Sequence, residues 1–233
     1  MSRIRAVFFD AGHTLLHPHP DLGSVYVETT EALGARVPAE AFREAFRPAF
    51  AESVARHRAT PHASDAQDRA MWREITAGIH GAIPALGAVP FERWFEALYV
   101  RFGAPSTWRL YGDVEASLAA LRARGLRLAV VSNWDTRLRG IAEGLGLAAQ
   151  VDAVVISAEA GVRKPDPGIF RIALERAGVG ADEALHVGDL AEEDVEGARR
   201  AGLRAVLIER TPGRGAPPGV PLIRGLAELE ALL

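Results

Sequence analysis

The stretch Ile4–Leu16, which reads IRAVFFDAGHTLL, decides how this chain folds. Its first half is a short apolar run, and such runs form strands that are buried on both faces of a parallel sheet. The run ends at Asp10, and Gly12 follows two residues later. Because ligands of open α/β sheets bind outside the carboxyl ends of the strands, we expect Asp10 to lie at the functional edge of a sheet.

The same pattern recurs along the chain. Five apolar runs predict strands at Ile4–Phe9, Leu126–Val131, Ala153–Ser157, Ala184–Val187 and Ala205–Ile208. Amphipathic stretches that stop at a glycine, as helices commonly do, lie at Val114–Arg124, Thr136–Glu143, Pro167–Ala177 and Asp194–Ala201. Strands that alternate with helices predict an α/β fold with a doubly wound parallel sheet.

The segment between the first two predicted strands is too long for one crossover and has helical spacing of its apolar residues throughout. It predicts helices at Asp21–Leu33, Pro38–His57, Ser64–Ile83 and Phe91–Phe102, with Pro48 kinking or breaking the second. We therefore expect an α/β core domain formed by residues 1–16 and 106–233, and an inserted all-helical domain at residues 17–105. A loop at Thr211–Pro221 and a short helix at Leu226–Leu232 should end the chain.

Composition excludes several classes of function. The chain is 48% hydrophobic and 24% charged, which is normal for a globular protein. Its net charge is −3 and its arginines are spread out, so no nucleic-acid partner is expected. It has no cysteine, which excludes disulfides and thiolate chemistry. With no apolar run long enough for a signal peptide or a membrane span, a soluble cytoplasmic protein is expected.

Polar side chains follow the other predicted strands too. Ser132 and Asn133 end the second, Lys164 follows the third, and Asp189 ends the fourth, with Asp194 five residues on. Lys164 is the only lysine among 27 basic residues. A lysine offers a compact, mobile point charge that arginine does not replace. Carboxylates, a hydroxyl and an ammonium are therefore expected together at one edge of the sheet.

This combination indicates phosphoryl transfer through a covalent intermediate. Asp10 would be the nucleophile and would carry an aspartyl phosphate. The Ser132 hydroxyl would hold phosphoryl oxygens, and the Lys164 ammonium would neutralise charge on the nucleophile and on the transferring group.

A phosphate dianion repels a carboxylate, so a cation is expected between them. Magnesium takes oxygen ligands and usually only a few carboxylates. The predicted Mg²⁺ ligands are the carboxylates of Asp10 and Asp189 and the backbone carbonyl of Gly12. Asp194 would bind the metal or orient its waters.

The motifs Asp10 to Leu15, Ser132-Asn133, Lys164 within Arg-Lys-Pro-Asp-Pro, and Gly188-Asp189 with Asp194 resemble those of the haloacid dehalogenase-like hydrolase superfamily. The stretch that begins Ser132-Asn133-Trp134 is similar to its haloacid dehalogenase-like domain-containing type. The resemblance implies a strand order of 5-4-1-2-3 and a helical cap that closes over a small phosphorylated metabolite. Ser132, Asn133 and Lys164 are expected to bind the substrate. Trp134 directly follows Ser132-Asn133 and could form a wall of the pocket, for which packing in the core is at least as good an interpretation.

The chain departs from the family's phosphatase pattern at Gly12. Phosphatases of the family usually have there an aspartate that protonates the leaving oxygen, and general acids contribute on the order of 10²–10⁴-fold in rate. His13 titrates near neutral pH and is one candidate replacement, although neighbouring side chains of an extended segment face opposite ways. Glu192 and Glu193 could also reach the site, but we expect them at a solvated helix start.

Three functions stay open on these grounds. The first is a Mg²⁺-dependent phosphatase that works without the usual acid. The second is a 2-haloacid dehalogenase, which needs neither metal nor that acid, but for which the acidic pair Asp189 and Asp194 has no use. The third is a binding or regulatory protein that kept the fold and lost most activity.

Overall fold

The computed structural model describes residues 3–57, 62–211, 213 and 215–233. Its strands are β1 (Ala6–Phe9), β2 (Leu16–Pro18), β3 (Trp108–Leu110), β4 (Arg127–Ser132), β5 (Ala153–Ile156), β6 (Ala184–Gly188), β7 (Arg204–Ile208) and β8 (Leu222–Ile223). Its α-helices are α1 (Leu22–Glu31), α2 (Ala39–His57), α3 (Asp65–Ala82), α4 (Phe91–Gly103), α5 (Val114–Ala123), α6 (Arg137–Gly144), α7 (Ser157–Ala160), α8 (Pro167–Ala177) and α9 (Gly197–Arg200).

Six strands form one parallel sheet in the order β5-β4-β1-β6-β7-β8. Counted over the five predicted strands and read from the β7 side, this is 5-4-1-2-3, which confirms the expected topology. The edge strand β8 lies between the predicted loop and the last helix, and its two residues were too few to predict. The register pairs Phe9 of β1 with Val130 of β4 and with Val187 of β6. The carboxyl ends of the three central strands therefore meet at one edge.

The chain divides into two compact units. The core unit comprises Met1–His17, Pro61–Ser64 and Leu110–Leu233, and the helical unit comprises Pro18–Thr60 and Asp65–Arg109. Beside the sheet, the core unit buries an apolar cluster that joins strand residues such as Phe8 to Ile169 and Phe170 of α8. Burial of such continuous apolar strands on both faces explains why short runs of valine, leucine and alanine were sufficient to locate the sheet.

The helical unit contains the four predicted helices, with ends that differ from prediction by one to a few residues. Its interior is a cluster of aromatic and aliphatic side chains centred on Tyr26, Phe42 and Trp94. Helix α2 runs without interruption through Pro48, so a break there was wrong. Packing against α3 keeps both halves of α2 helical, because tertiary contacts override the local preference of proline.

Three other local features differ from the sequence prediction. The expected helix Asp194–Ala201 is a π-helical turn, Ala191–Glu196, followed by the single turn of α9. The last helix, Leu226–Leu232, is a 3₁₀-helix. A two-stranded sheet of β2 and β3 was not predicted. Pro212 and Arg214 of the predicted final loop lie outside the described residues. Within the described parts of the chain, every helix is too short or too polar to cross a membrane.

Candidate active site

Asp10 lies at the end of β1, where its backbone N–H continues the sheet by donating to the Val187 carbonyl at 2.9 Å. Its carboxylate is buried, and Oδ1 accepts hydrogen bonds from the Ser132 hydroxyl at 2.9 Å and from Lys164 Nζ at 2.6 Å. These partners come from the end of β4 and from the loop before α8. Three of the residues predicted to act together are thus in direct contact.

Lys164 is held in a pocket of carboxylates, with 2% of its side chain exposed. Its Nζ also donates to Asp194 Oδ1 at 2.6 Å. The loop around it ends where the Asp166 side chain accepts from the Gly168 N–H and caps α8. Burial by itself lowers the pKa of the Lys164 ammonium, but the charges of Asp10 and Asp194 outweigh it and raise that pKa above its usual range. The lysine is therefore positively charged in the site.

Asp194 is buried and fixed by partners from three segments. Its Oδ1 accepts from Lys164 and pairs with Nε2 of His186 at 2.9 Å, and its Oδ2 accepts from the Leu190 N–H at 2.9 Å. Burial raises the pKa of this carboxyl, but Lys164 and His186 outweigh it and hold the pKa well below its usual value. A side chain at Gly188 would overlap the Asp194 carboxyl group, which explains the glycine there.

The protonation of Asp10 depends on its burial and on the same neighbouring charged groups. Burial raises the pKa of its carboxyl, and the negative charge of Asp194 adds to that rise, while Lys164 and Ser132 act in the opposite direction. One ammonium thus serves two neighbouring carboxylates. A site of this kind favours a second cation, because each added positive charge stabilises the ionised form of Asp10.

The acidic side chains fit a divalent cation. One carboxylate oxygen from each of Asp10, Asp189 and Asp194 can be chosen so that all three lie within 4.8 Å of one another. Carboxylate oxygens are the hard donors that magnesium requires. The predicted metal-binding side chains are thus brought together; the Gly12 carbonyl stays a prediction.

Gly12 and Trp134 lie next to each other. A Cβ built on Gly12 would be 3.4 Å from Cζ3 of Trp134, an ordinary contact, so the backbone here leaves room for a Cβ. Trp134 is itself fixed through its backbone, because its N–H donates to Ser157 Oγ at 3.0 Å and the Ser157 hydroxyl donates to its carbonyl at 3.1 Å. His13 is exposed and has a φ of 54°. A left-handed backbone conformation favours glycine, and the family that this sequence resembles often has a glycine at the position of His13.

The Asn133 side chain is hydrogen-bonded to the backbone of Lys164. Its Oδ1 accepts from the Lys164 N–H at 2.7 Å, and its Nδ2 donates to the Lys164 carbonyl at 2.9 Å. Nδ2 also donates to Glu193 Oε2 at 2.7 Å. Burial raises the pKa of the Glu193 carboxyl, with Lys164 opposing and Asp194 adding to the rise. The expectation of a solvated Glu193 was wrong, because a π-helical turn changes which side chains point inward.

Sequence reasoning also missed His186, which is fully buried in β6 and packs edge-on against Phe170. Burial lowers the pKa of its imidazole, although Asp194 opposes this. A signal was present in the sequence: a histidine inside an otherwise apolar buried strand needs a polar partner. That Asp194 is this partner could not be predicted from the sequence, because the contact depends on how the turn after β6 folds back.

Known proteins are similar to this chain over nearly its whole length. The chain is 31% identical to haloacid dehalogenase-like hydrolase domain-containing protein 3 of Danio rerio, over 99% of this chain and 96% of the relative. It is 37% identical to a phosphoserine phosphatase of Thermus thermophilus, over 95% of each. A crystal structure of a dehalogenase with an intermediate complex has the same fold, with a TM-score of 0.74, 24% identity and coverage of 100% and 98% of the two chains.

The family model described as haloacid dehalogenase-like hydrolase matches residues 4–202, which include four of the six strands of the sheet, the helical unit and every residue of the candidate site. The predicted resemblance is confirmed, and the chain belongs to the haloacid dehalogenase-like hydrolase family.

Proposed function

We propose that this chain is a magnesium-dependent phosphatase in which Asp10 is the nucleophile. The observation that carries the proposal is the pair of hydrogen bonds on Asp10 Oδ1, from Ser132 and from the charged Lys164. Both bonds end on the same oxygen. Among the described residues, none donates a hydrogen bond to Oδ2, which leaves this oxygen for the attack on phosphorus.

The proposed reaction has two steps. In the first, Asp10 Oδ2 forms a bond to phosphorus while the bond to the substrate oxygen breaks, and the leaving oxygen takes a proton from water. In the second, water attacks the aspartyl phosphate, inorganic phosphate leaves and the Asp10 carboxylate is restored. Lys164 and Ser132 stabilise negative charge on the transferring group in both steps. Bound magnesium, held by Asp10, Asp189 and Asp194, would neutralise charge on the phosphate.

The proposed substrate class is a small phosphorylated metabolite. It is supported by the full-length similarity to a phosphoserine phosphatase, whose name states its substrate. The two carboxylates Asp189 and Asp194 support a metal-dependent reaction over dehalogenation, because a dehalogenase has no use for them as metal ligands. A cytoplasmic location is part of the proposal and rests on composition.

Gly12 sets which phosphates should react best. Without a general acid, the leaving oxygen must depart with little help, so acyl and aryl phosphates should be hydrolysed faster than alkyl phosphates. The Cβ of a side chain at this position would meet Trp134 at an ordinary contact distance. Gly12→Asp should therefore raise turnover of alkyl phosphates. If His13→Ala leaves turnover unchanged in the same assay, the exposed His13 is not the acid.

The test compares p-nitrophenyl phosphate, acetyl phosphate and 2-chloropropionate, each with magnesium and with a chelator, using Asp10→Asn as the blank. Magnesium-dependent release of phosphate that Asp10→Asn abolishes supports the proposal. Chloride release that resists the chelator would establish a dehalogenase instead. Binding of magnesium and of a phosphate analogue without any turnover would establish a protein that kept only the site's binding function.

A further inference from the structure

We propose that Asn133 and Glu193 are positioning residues that act through Lys164, and that the Asn133 amide does not bind the substrate. The proposal deepens the phosphatase function and rests on it for the role of the ammonium. It follows from the hydrogen bonds of one side chain, Asn133, which is the only asparagine of the chain and binds its only lysine.

The Asn133 amide is fully used as a donor. A primary amide has two N–H protons, and the two on Nδ2 go to the Lys164 carbonyl and to Glu193 Oε2. The amide oxygen accepts from the Lys164 N–H at 2.7 Å. Turning the amide over would set its NH₂ group against the Lys164 N–H, so its orientation is determined by the network. No donor of this side chain remains for a phosphate oxygen.

The effect of these bonds is to fix one residue of a loop. Lys164 lies outside any strand or helix, between the turn α7 and the helix α8. Its backbone N–H and carbonyl are both held by Asn133, in the manner of a neighbouring strand. With its backbone fixed, Nζ stays between the carboxylates of Asp10 and Asp194, 2.6 Å from each.

Glu193 completes the arrangement from the other side. The hydrogen bond from Asn133 Nδ2 to Glu193 fixes the plane of the amide. The π-helical turn makes this bond possible, because it carries Glu193 inward beside Asp194. Asn133 is next to Ser132, a second partner of Asp10. One short segment after β4 therefore aligns both donors on the nucleophile, Ser132 directly and Lys164 through the Asn133 amide.

The chain allows a direct test, because it contains one lysine and one asparagine. Lysine labelled with ¹³C at Cε gives a single methylene signal, whose two protons have different shifts when the side chain is immobilised and one average shift when it is mobile. The variants are Asn133→Asp, which keeps the size and removes both donors, Glu193→Ala, and Glu193→Gln, which keeps an acceptor oxygen. Glu196→Ala is the matched control, since Glu196 is exposed and pairs with Arg200.

We expect Asn133→Asp to merge the two proton shifts and to lower kcat about 10²-fold with KM little changed, because misplacement of a catalytic group costs rate rather than binding. Glu193→Ala should do the same to a smaller extent, Glu193→Gln should restore most of the loss, and Glu196→Ala should match wild type. If Asn133→Asp does not fold, the two Glu193 variants carry the test.

Two results would overturn the inference. One is an Asn133→Asp protein with separate proton shifts and wild-type kcat; the other is a rise in KM alone, which would mean that the amide touches the substrate. If wild type hydrolyses no phosphate, the proposed function fails, but the lysine signal still decides whether Asn133 and Glu193 position Lys164.

Discussion

The core unit and the helical unit fill their interiors with different chemistry. The core unit places Lys164, Asp10, Asp194 and His186 in one buried hydrogen-bonded group beside its apolar cluster. The helical unit instead packs the rings of Tyr26, Phe42 and Trp94 together, with ring centroids 5.2 to 6.3 Å apart.

The contrast separates stability from chemistry. Burying charges costs several kcal/mol per ion and is repaid only by excellent geometry, so a buried ionic group is weak evidence for stability. Burying aromatic surface stabilises directly, at roughly 25 cal/mol per Å². We therefore expect substitutions in the ionic group to change activity most, and substitutions in the aromatic cluster to change the free energy of unfolding most.

The largest expected effect is that of Asp10→Asn. Asparagine is not a nucleophile toward phosphorus, so phosphate release should fall at least about 10³-fold. Its carbonyl oxygen can still accept from Ser132 and Lys164, and one buried charge disappears, so the urea midpoint should stay near that of wild type. Both are measured on the same preparation; a variant that lost stability in proportion to activity would break the contrast.

Trp94→Ala should have the opposite pattern, with a large loss of stability. The indole is fully buried and its Nε1 donates to Thr30 Oγ1 at 2.9 Å. Removing it should lower the free energy of unfolding by about 3–5 kcal/mol, measured by urea unfolding. Trp94→Phe is the control, because it keeps a buried ring and should cost less; equal costs for both variants would show that the hydrogen bond, and not the packing, dominates.

Two glycines test whether the packing around a glycine determines the effect of an added methyl group. A methyl group at Gly188 would overlap the Asp194 carboxyl, so Gly188→Ala should cost about 1–3 kcal/mol and weaken the proposed magnesium binding. Gly140 in α6 has nothing within 4 Å of the added atom, so Gly140→Ala should stabilise by about 0.5–1 kcal/mol. Thermal unfolding with and without magnesium measures both. A stable Gly188→Ala protein that binds magnesium normally would contradict the packing described.

Alkaline pH should weaken the helical unit through Tyr26. Burial raises the pKa of this phenol, so the folded protein holds it neutral while the unfolded chain ionises near pH 10. Its contribution is complete below pH 10 and is lost above it, by about 1.4 kcal/mol per pH unit. Urea unfolding at pH 9 and pH 11 should show this loss in wild type and less of it in Tyr26→Phe. Equal losses in the two proteins would assign the effect to other groups.

Acid should weaken the core unit through Asp113, by an amount at the small end of these predictions. Burial raises the pKa of Asp113, but Arg210, 2.7 Å away, and the Leu226 N–H outweigh it and hold the pKa below its usual value. The contribution is present above about pH 4 and is lost as pH falls through the folded pKa. Asp113→Asn should therefore be less stable than wild type by about 1 kcal/mol at pH 7, and the difference should shrink at pH 3.

The elements that could be predicted are those whose pattern is local. The five strands of the sheet and the four helices of the insert follow from runs and spacings within each segment, and the strand order followed from the family resemblance. The two residues of β8 and the short strands β2 and β3 carry too little pattern to be read, because pairing partners decide whether such segments become strands.

Within the site, the residue types were readable but their partners were not. Asp10, Ser132, Lys164 and Asp194 could be assigned to one edge of the sheet because each follows a strand. Glu193 could be named as a residue able to reach the site but not assigned to it, and His186 was missed. The inward positions of both depend on the π-helical turn and on the carboxylate that it brings over Gly188.

The sequence by itself determined that this is an α/β protein with a helical insert, and that a carboxylate, a hydroxyl and a single ammonium follow its strands. Only the tertiary structure decided that Lys164 Nζ lies 2.6 Å from an aspartate 154 residues earlier, and that the Asn133 amide holds the lysine's backbone. The reason is physical: periodicity is a property of neighbouring residues, whereas distances between remote side chains are fixed by strand order, register and the turns between strands.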